Sequence, residues 1–235
     1  MDSLLARVDR LSLSLGQRKE FVPIQVNKNP SVISDLVSDL FRKTSKYARW
    51  RAVDIDEPYT FVELKSGSVD YTILEKKFLS GLKYPKRRVV RIVEVRNPFL
   101  YLQYELKLTQ KKKLYGYISE KQLYHGTKEC NVDSICEKNF DWRKIGANGM
   151  RSSKFGMGVS FSPSSQYASD YPRRCSDSPR AMIVAKVMEG HRCNGVEFMV
   201  IPPLPADTSV KPGDGNVVVK YFDNEFYPEY IIYYR

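Results

Sequence analysis

Leu123-Tyr124-His125-Gly126-Thr127 is the stretch on which the reading of this chain turns. It reads as the end of a strand running into a turn, with an imidazole at the exit and a glycine behind it. A histidine beside a glycine is ordinarily just a turn residue. The stretch gains meaning from two downstream segments. Lys154-Phe155-Gly156-Met157-Gly158-Val159-Ser160-Phe161-Ser162 brings two glycines into a short strand, and Tyr227-Pro228-Glu229-Tyr230-Ile231-Ile232-Tyr233-Tyr234 closes the chain.

On both sides of this stretch, strands and helices alternate. Tyr59 to Leu64 alternates as a strand does, and Val89 to Val95 is a β-branched strand. Val69 to Leu82 has helical spacing, with Ile73, Leu74, Phe78 and Leu82 on one face. Asn97-Pro98 is a cap followed by a first-turn proline, so a helix is expected from there to about Lys113. The run Lys111-Lys112-Lys113 then falls where cations suit the helix dipole. Downstream, a short helix is expected at Val132 to Lys138 and a glycine-punctuated loop at Lys144 to Lys154. A strand at Val159 to Phe161, a helix around Ser164 to Tyr171 and a strand at Ala181 to Val187 come next. Asn216 to Phe222 and Glu229 to Tyr234 read as closing strands. Many strands with few, scattered helices define an α+β class.

Residues 1–46 read as an N-terminal extension with helical spacing. Leu4, Val8, Leu11 and Leu15 repeat on one face up to Gly16. A second helix starts at Asn29-Pro30 and carries Ile33, Leu36, Val37, Leu40 and Phe41 on a face that packs on its own domain. Residues 47–235 read as one domain, an ordinary size for a single core.

Of the 235 residues, 42% are hydrophobic and 12% aromatic, mostly Tyr, a composition that excludes general disorder. With 38 Lys and Arg against 27 Asp and Glu, the formal charge is +11. That charge serves solubility, and it also attracts polyanions, either the pyrophosphate of a dinucleotide or a nucleic acid. The basic residues are spread along the sequence rather than striped, so nucleic acid is only the weaker of these partners. Cys130, Cys136, Cys175 and Cys193 form no C-x-x-C pair. A zinc site is therefore not expected, and free thiols in a reducing compartment are. No signal peptide and no membrane-spanning run is read, so the expected setting is intracellular, in nucleus or cytoplasm, without a membrane partner.

In their order and separations, the His125, Gly156–Ser162 and Tyr227–Tyr234 segments resemble the catalytic domain of the PARP family, the diphtheria-toxin-like ADP-ribosyltransferases. The resemblance covers about residues 47–235. It implies an ADP-ribosyltransferase fold, with antiparallel and mixed strands and a few short helices around an NAD cleft. It implies that His125 hydrogen-bonds a ribose hydroxyl of NAD, and that the Gly126 main chain pairs with the nicotinamide carboxamide, beginning a pocket that Thr127 continues. The segment containing Phe161 is similar to the family's G-x-G-x-Y-F-[AS], with Ser160 where the family's second signature residue is Tyr. Tyr171 matches the second family Tyr, which stacks on nicotinamide. Ala168 stands where the family has a Ser that bonds the carboxamide, and Ser169 is the neighbour that can replace it. Tyr167 is the ring able to fill the space that Ser160 leaves. Val217, counted back from Tyr227, occupies the third signature position, where polymerising members carry Glu. Glu225 and Glu229 are nearby in sequence, but the register excludes both from that position.

Asn139-Phe140-Asp141-Trp142-Arg143 and Arg91 to Leu100 resemble the branch that transfers single ADP-ribose units. The resemblance thus implies an NAD-dependent mono-ADP-ribosyltransferase that modifies side chains of acceptor proteins and releases nicotinamide, with NAD as co-substrate and no metal. His125, Ser160 and Val217 would stand at the catalytic positions. The competing reading keeps the fold as a catalytically weak or inactive module that binds NAD or ADP-ribose. Ser160 and Ala168 favour the competitor; His125-Gly126 and Tyr171 favour the enzyme.

Overall fold

A computed structural model describes residues 37–46, 49–50, 57–83, 87–144, 154–171 and 179–235. Nine strands are defined among them: β1 (Thr60–Glu63), β2 (Val89–Arg96), β3 (Ser119–Thr127), β4 (Val159–Phe161), β5 (Arg180–Glu189), β6 (Arg192–Asn194), β7 (Thr208–Val210), β8 (Val218–Lys220) and β9 (Phe226–Tyr234). Four further α-helices follow a helical stretch at 37–42: α1 (Val69–Ser80), α2 (Pro98–Tyr115), α3 (Val132–Lys138) and α4 (Ser165–Ser169). The α+β class read from the sequence is the class observed.

The strands form two sheets, one in the order β1-β2-β9-β5-β3 and one in the order β4-β8-β7-β6. Neighbours in the first are all antiparallel; in the second, β6 and β7 run parallel. β9 is buried along its whole length. Its alternation divides the core, since successive side chains point to opposite faces. Ile231 and Tyr233 pack with Val93, Val95, Ile183 and the α3 residues Val132 and Cys136. Ile232 and Tyr234 pack on the other face with Ile92, Met182 and the α1 residues Leu74 and Phe78. Tyr227 joins a third cluster with Tyr101, Tyr104 and Leu108 of α2, together with Phe41 and Trp50.

The helix starts follow their caps. The Ser68 side chain accepts from Tyr71 N at 3.4 Å, and Asn97 Oδ1 accepts from Leu100 N at 3.0 Å. Gly116, at φ +79°, ends α2 in a conformation that favours glycine.

Several expectations need correction. Ile73 is exposed, and Tyr71 takes a place on the buried face of α1 in its stead. Leu82 lies beyond the helix, which stops at Ser80. In the helical stretch at 37–42, Val37 and Phe41 are buried but Leu40 is exposed. This stretch packs into the same compact unit, Ser34–Arg235, as the rest of the domain. The Leu4–Leu15 spacing, the Asn29-Pro30 start and most of the loop at 144–154 lie outside the described residues. The three-residue strands β6 and β7 are too short to leave a pattern. The expected strand from Asn216 to Phe222 is confined to Val218–Lys220.

The largest correction is Lys111. It shares the buried face of α2 with Leu108, three residues before it, and Tyr104, four residues before that. It pairs with Asp207 and, at 2.6 Å, with Glu225. Lys220, fully buried, lies 2.7 Å from Glu225 Oε2 and donates to Thr208 Oγ1 at 2.8 Å. The Lys220–Glu225 approach is an ion pair without hydrogen-bond alignment. Only the exposed Lys112 and Lys113 fit the dipole reading.

Removing one member of this cluster strands a buried charge. Lys220→Met is therefore expected to lower stability by about 3–5 kcal/mol. Ile73→Ala, on an exposed site, should stay within about 0.5 kcal/mol. Urea unfolding of the two variants measures both.

Candidate active site

The exit of β3 carries His125, Gly126 and Thr127, registered opposite Ile183, Met182 and Ala181 of β5. The second sheet is joined to this strand one residue earlier. Tyr124 N donates to Ser162 O at 2.7 Å, and Ser162 N donates to Tyr124 O at 2.8 Å. Between the two sheets and α4 lies a cavity of about 250 Å³. From β3 it is lined by His125, Gly126 and Thr127, and from β4 by Ser160 and Phe161. Tyr167, Ala168 and Tyr171 line it from α4 and its exit, and Val217 from the entry to β8.

His125 is held in one orientation. Its Nδ1 lies 2.9 Å from the Ser160 carbonyl oxygen. A carbonyl oxygen only accepts, so Nδ1 carries the hydrogen, and Nε2 of the neutral ring is left as an acceptor. Burial pushes the imidazole below its ordinary value of 6.5, against the opposing pull of that carbonyl. The ring meets Phe140 edge-on at 4.9 Å and lies 5.8 Å from Phe161. Phe161, nearly fully buried, thus supports the histidine as much as it walls the cavity.

Ser160 supplies its main-chain carbonyl to His125 and no aromatic surface to the cavity. The aromatic wall comes instead from Tyr167 and Tyr171, whose ring centres are 5.7 Å apart at 45°. The Tyr171 hydroxyl donates to that of Tyr167 at 3.3 Å. Val217 is buried and brings hydrocarbon to its side of the cavity. Ser169 does not reach the site. It is buried, and its hydroxyl donates to the Gln166 carbonyl at 2.8 Å. One step along a helix turns a side chain by about 100°, so a residue beside Ala168 cannot replace it without unwinding the helix. Glu225 belongs to the buried charge cluster. Glu229 binds Lys46 at 2.7 Å and Gln122 at 2.9 Å. Neither lines the cavity, in agreement with the sequence register.

The two glycines answer to packing. At Gly156, with φ +131°, a Cβ would strike the Tyr221 hydroxyl, and at Gly158 it would strike the Lys220 carbonyl. Ser209 Oγ reaches both the Tyr221 hydroxyl and the Phe155 carbonyl at 2.6 Å, which fixes the entry to this turn.

The sequence reading gives one cavity wall no role in the site. Lys128, Asn131 and Ser134 line it from the segment after β3, and Asn139, Phe140 and Asp141 from the end of α3. Asn131 Nδ2 donates to Thr127 Oγ1 at 3.1 Å, which ties that wall to the His-Gly-Thr segment. Among the described residues, Asn139 is one of three non-glycine residues with positive φ, and the signal available in sequence was only its type, since Asn tolerates that conformation better than most.

An α+β domain with a histidine-bearing cleft between two sheets is the class that fold and site define. Residues 68–233 match the family model of the poly(ADP-ribose) polymerase catalytic domain, and the chain belongs to that family. It is similar to protein mono-ADP-ribosyltransferase PARP11 of Mus musculus, at 29% identity over 78% of this chain and 62% of that protein. It is also similar to protein mono-ADP-ribosyltransferase PARP12 of Homo sapiens, at 30% identity over 79% of this chain and 27% of that protein. With protein mono-ADP-ribosyltransferase PARP14 of Homo sapiens it shares 25% identity over 75% of this chain and 10% of that protein. The chain thus spans less than two thirds of the length of these relatives.

The depressed His125 value has a thermodynamic consequence. The unfolded imidazole takes up a proton near pH 6.5, while the folded one resists until lower pH. Unfolding therefore binds protons in that window, and stability falls as pH drops below 6.5. Above 6.5 both states are neutral and the contribution is complete. Replacing His125 by Asn is expected to flatten the stability profile between that value and the onset of carboxylate titration. Urea midpoints at half-unit pH steps will show whether the slope disappears.

Proposed function

We propose that this chain is an NAD-dependent mono-ADP-ribosyltransferase acting on side chains of acceptor proteins. The observation that carries the reading is the fixed, neutral His125, whose Nε2 is an acceptor in a cavity with Tyr167 and Tyr171 on another wall and hydrocarbon at Val217. Bound NAD supplies an anomeric carbon bearing nicotinamide as leaving group. An acceptor atom bonds to that carbon as the bond to nicotinamide breaks, and the acceptor's proton passes to solvent.

The chain's own residues bind and orient. His125 Nε2 can accept from a ribose hydroxyl, and the Gly126 main chain borders the cavity where a flat ring can lie. Tyr171 and Tyr167 offer it a face. Val217 has no group able to take a proton from a growing chain, which supports transfer of single units over polymer formation. The relatives named as mono-ADP-ribosyltransferases support the same reading. The alternative, a module that binds NAD or ADP-ribose with little turnover, is favoured by Ser160 and by the methyl group of Ala168. Without a hydroxyl at 168, and with Ser169 turned away, one hydrogen bond to the carboxamide is missing, worth about 1 kcal/mol.

Purified protein incubated with labelled NAD is expected to release nicotinamide and to give discrete labelled bands on a gel. A smear removed by a poly(ADP-ribose)-degrading enzyme would contradict single-unit transfer. NAD binding without nicotinamide release would establish the binding module. His125→Ala should lower turnover about a hundredfold through lost orientation. Tyr167→Ala should weaken NAD binding by a few-fold to roughly tenfold, the worth of one stacked ring. Calorimetric titration with NAD checks the latter.

A further inference from the structure

The strand register gathers cations that the sequence scatters. In the first sheet β2, β9, β5 and β3 are successive neighbours. Arg88 and Arg235 exchange backbone hydrogen bonds of 3.0 Å each, which adds one pair to the β2–β9 ladder. Arg180 is registered opposite Tyr234. Lys128 follows Thr127, and Arg180 precedes Ala181, the last registered pair of β3 and β5. One end of the sheet thus gathers Arg88, Arg235, Arg180 and Lys128 on four adjacent strands, with Arg88 and Arg235 on one face and Arg180, level with Tyr234, on the other. At the usual strand spacing the row is about 15 Å long. Arg87 lies over the Tyr234 ring at 5.4 Å on the same end. Lys128 also lines the cavity, so the row runs up to its mouth.

Like charges opposite one another across a ladder are destabilising. Here Arg88 faces Arg235, and among the described residues none of these five cations has a carboxylate partner. Among the described residues, the side-chain carboxylates that flank this end are engaged elsewhere or stand apart. Glu63 is 3.9 Å from Arg91, Asp133 accepts from Tyr59, and Asp170 from Gln166. Glu129 lies toward Tyr233.

We propose that this basic sheet end docks an acidic segment of the acceptor protein and delivers it to the cavity. The proposal rests on the transferase reading above for what happens next, but the docking itself does not. A single-stranded nucleic acid is the other polyanion of suitable charge, and it needs exposed rings on which bases stack. The rings at this end, Tyr233 and Tyr234, are buried beneath Arg91 and Arg87. Among the described residues, Tyr233 and Tyr234 thus give this end no exposed stacking platform, and its charge suits carboxylates on an extended peptide.

The test is fluorescence anisotropy with the full chain and no NAD. The probes are a labelled peptide of alternating Glu and Ala, the same design with Lys for Glu, and a labelled single-stranded oligouridine. The Glu peptide is expected to bind, the Lys peptide not, and affinity should fall as salt rises. Arg88→Gln with Arg180→Gln should weaken the Glu peptide at least roughly fivefold, and Arg88→Lys with Arg180→Lys should restore it. Thermal melting of the Gln variant at or above the wild-type temperature confirms that the fold is intact. Should it melt lower, the Lys variant and the salt series on the wild-type chain carry the test. Equal binding of the Glu and Lys peptides, or no loss in an intact Gln variant, overturns the proposal. So does tighter binding of oligouridine that displaces the Glu peptide. Nicotinamide release, measured separately, reports on the transferase reading whatever the peptide does.

Discussion

The reciprocal pair between Tyr124 and Ser162 joins the two sheets, and the cavity exists because of where that pair falls. It brings β4 alongside the end of β3. The Ser160 carbonyl then comes within 2.9 Å of His125 Nδ1, so a backbone contact between sheets also sets the histidine's tautomer. Two main-chain hydrogen bonds contribute only about 1 kcal/mol each. The junction is held largely by rings. Phe140 and Phe161 stand edge-on at 5.1 Å, and both lie 5.5 Å from Phe226 of the central strand β9.

A second constraint acts through β8. This strand has Val217 at its entry and Lys220 as its last residue. Lys220 is buried among Asp207, Thr208 and Glu225, while Val217 faces the cavity. A one-residue slip of a strand turns every side chain to the other face. In β8 a slip would expel the lysine from its partners and move Val217 from the site together. The buried charges, expensive to desolvate, thereby hold the register of the wall that lacks a carboxylate. Lys111 extends the same hold to α2, whose apolar residues pack with Tyr227 and Met188 of the first sheet.

Local signals were legible in the sequence. Asn97-Pro98 and Ser68 cap the helices they announce, and His125, Gly126, Tyr167, Ala168, Tyr171 and Val217 do meet in one cavity. What failed depended on phase or on long-range pairing. Ser169 is adjacent to Ala168 in sequence but turned away on the helix. Lys111 belongs to a basic triplet by composition and to the core by its spacing from Tyr104 and Leu108. Arg88, Arg180, Lys128 and Arg235 look scattered until the order β2-β9-β5-β3 sets them side by side. No window of sequence contains that order, because antiparallel pairing between distant segments is decided by the whole core.

The neutrality of His125 fits the ligand proposed for it. The nicotinamide ring of NAD is cationic until it leaves, and an imidazolium beside it would add a like charge in a site partly withdrawn from water, where Coulomb terms are strong. Burial lowers the imidazole's proton affinity, and the Ser160 carbonyl, by accepting from Nδ1, directs the one remaining lone pair to Nε2. A histidine kept neutral can hold a hydroxyl without opposing the cation. The arginines of the sheet end stand outside the cavity, where they attract anions, while Lys128 and Lys144 line it. The neutral histidine and the outlying arginines thus limit the repulsion that a chain at +11 would set against a cationic ring.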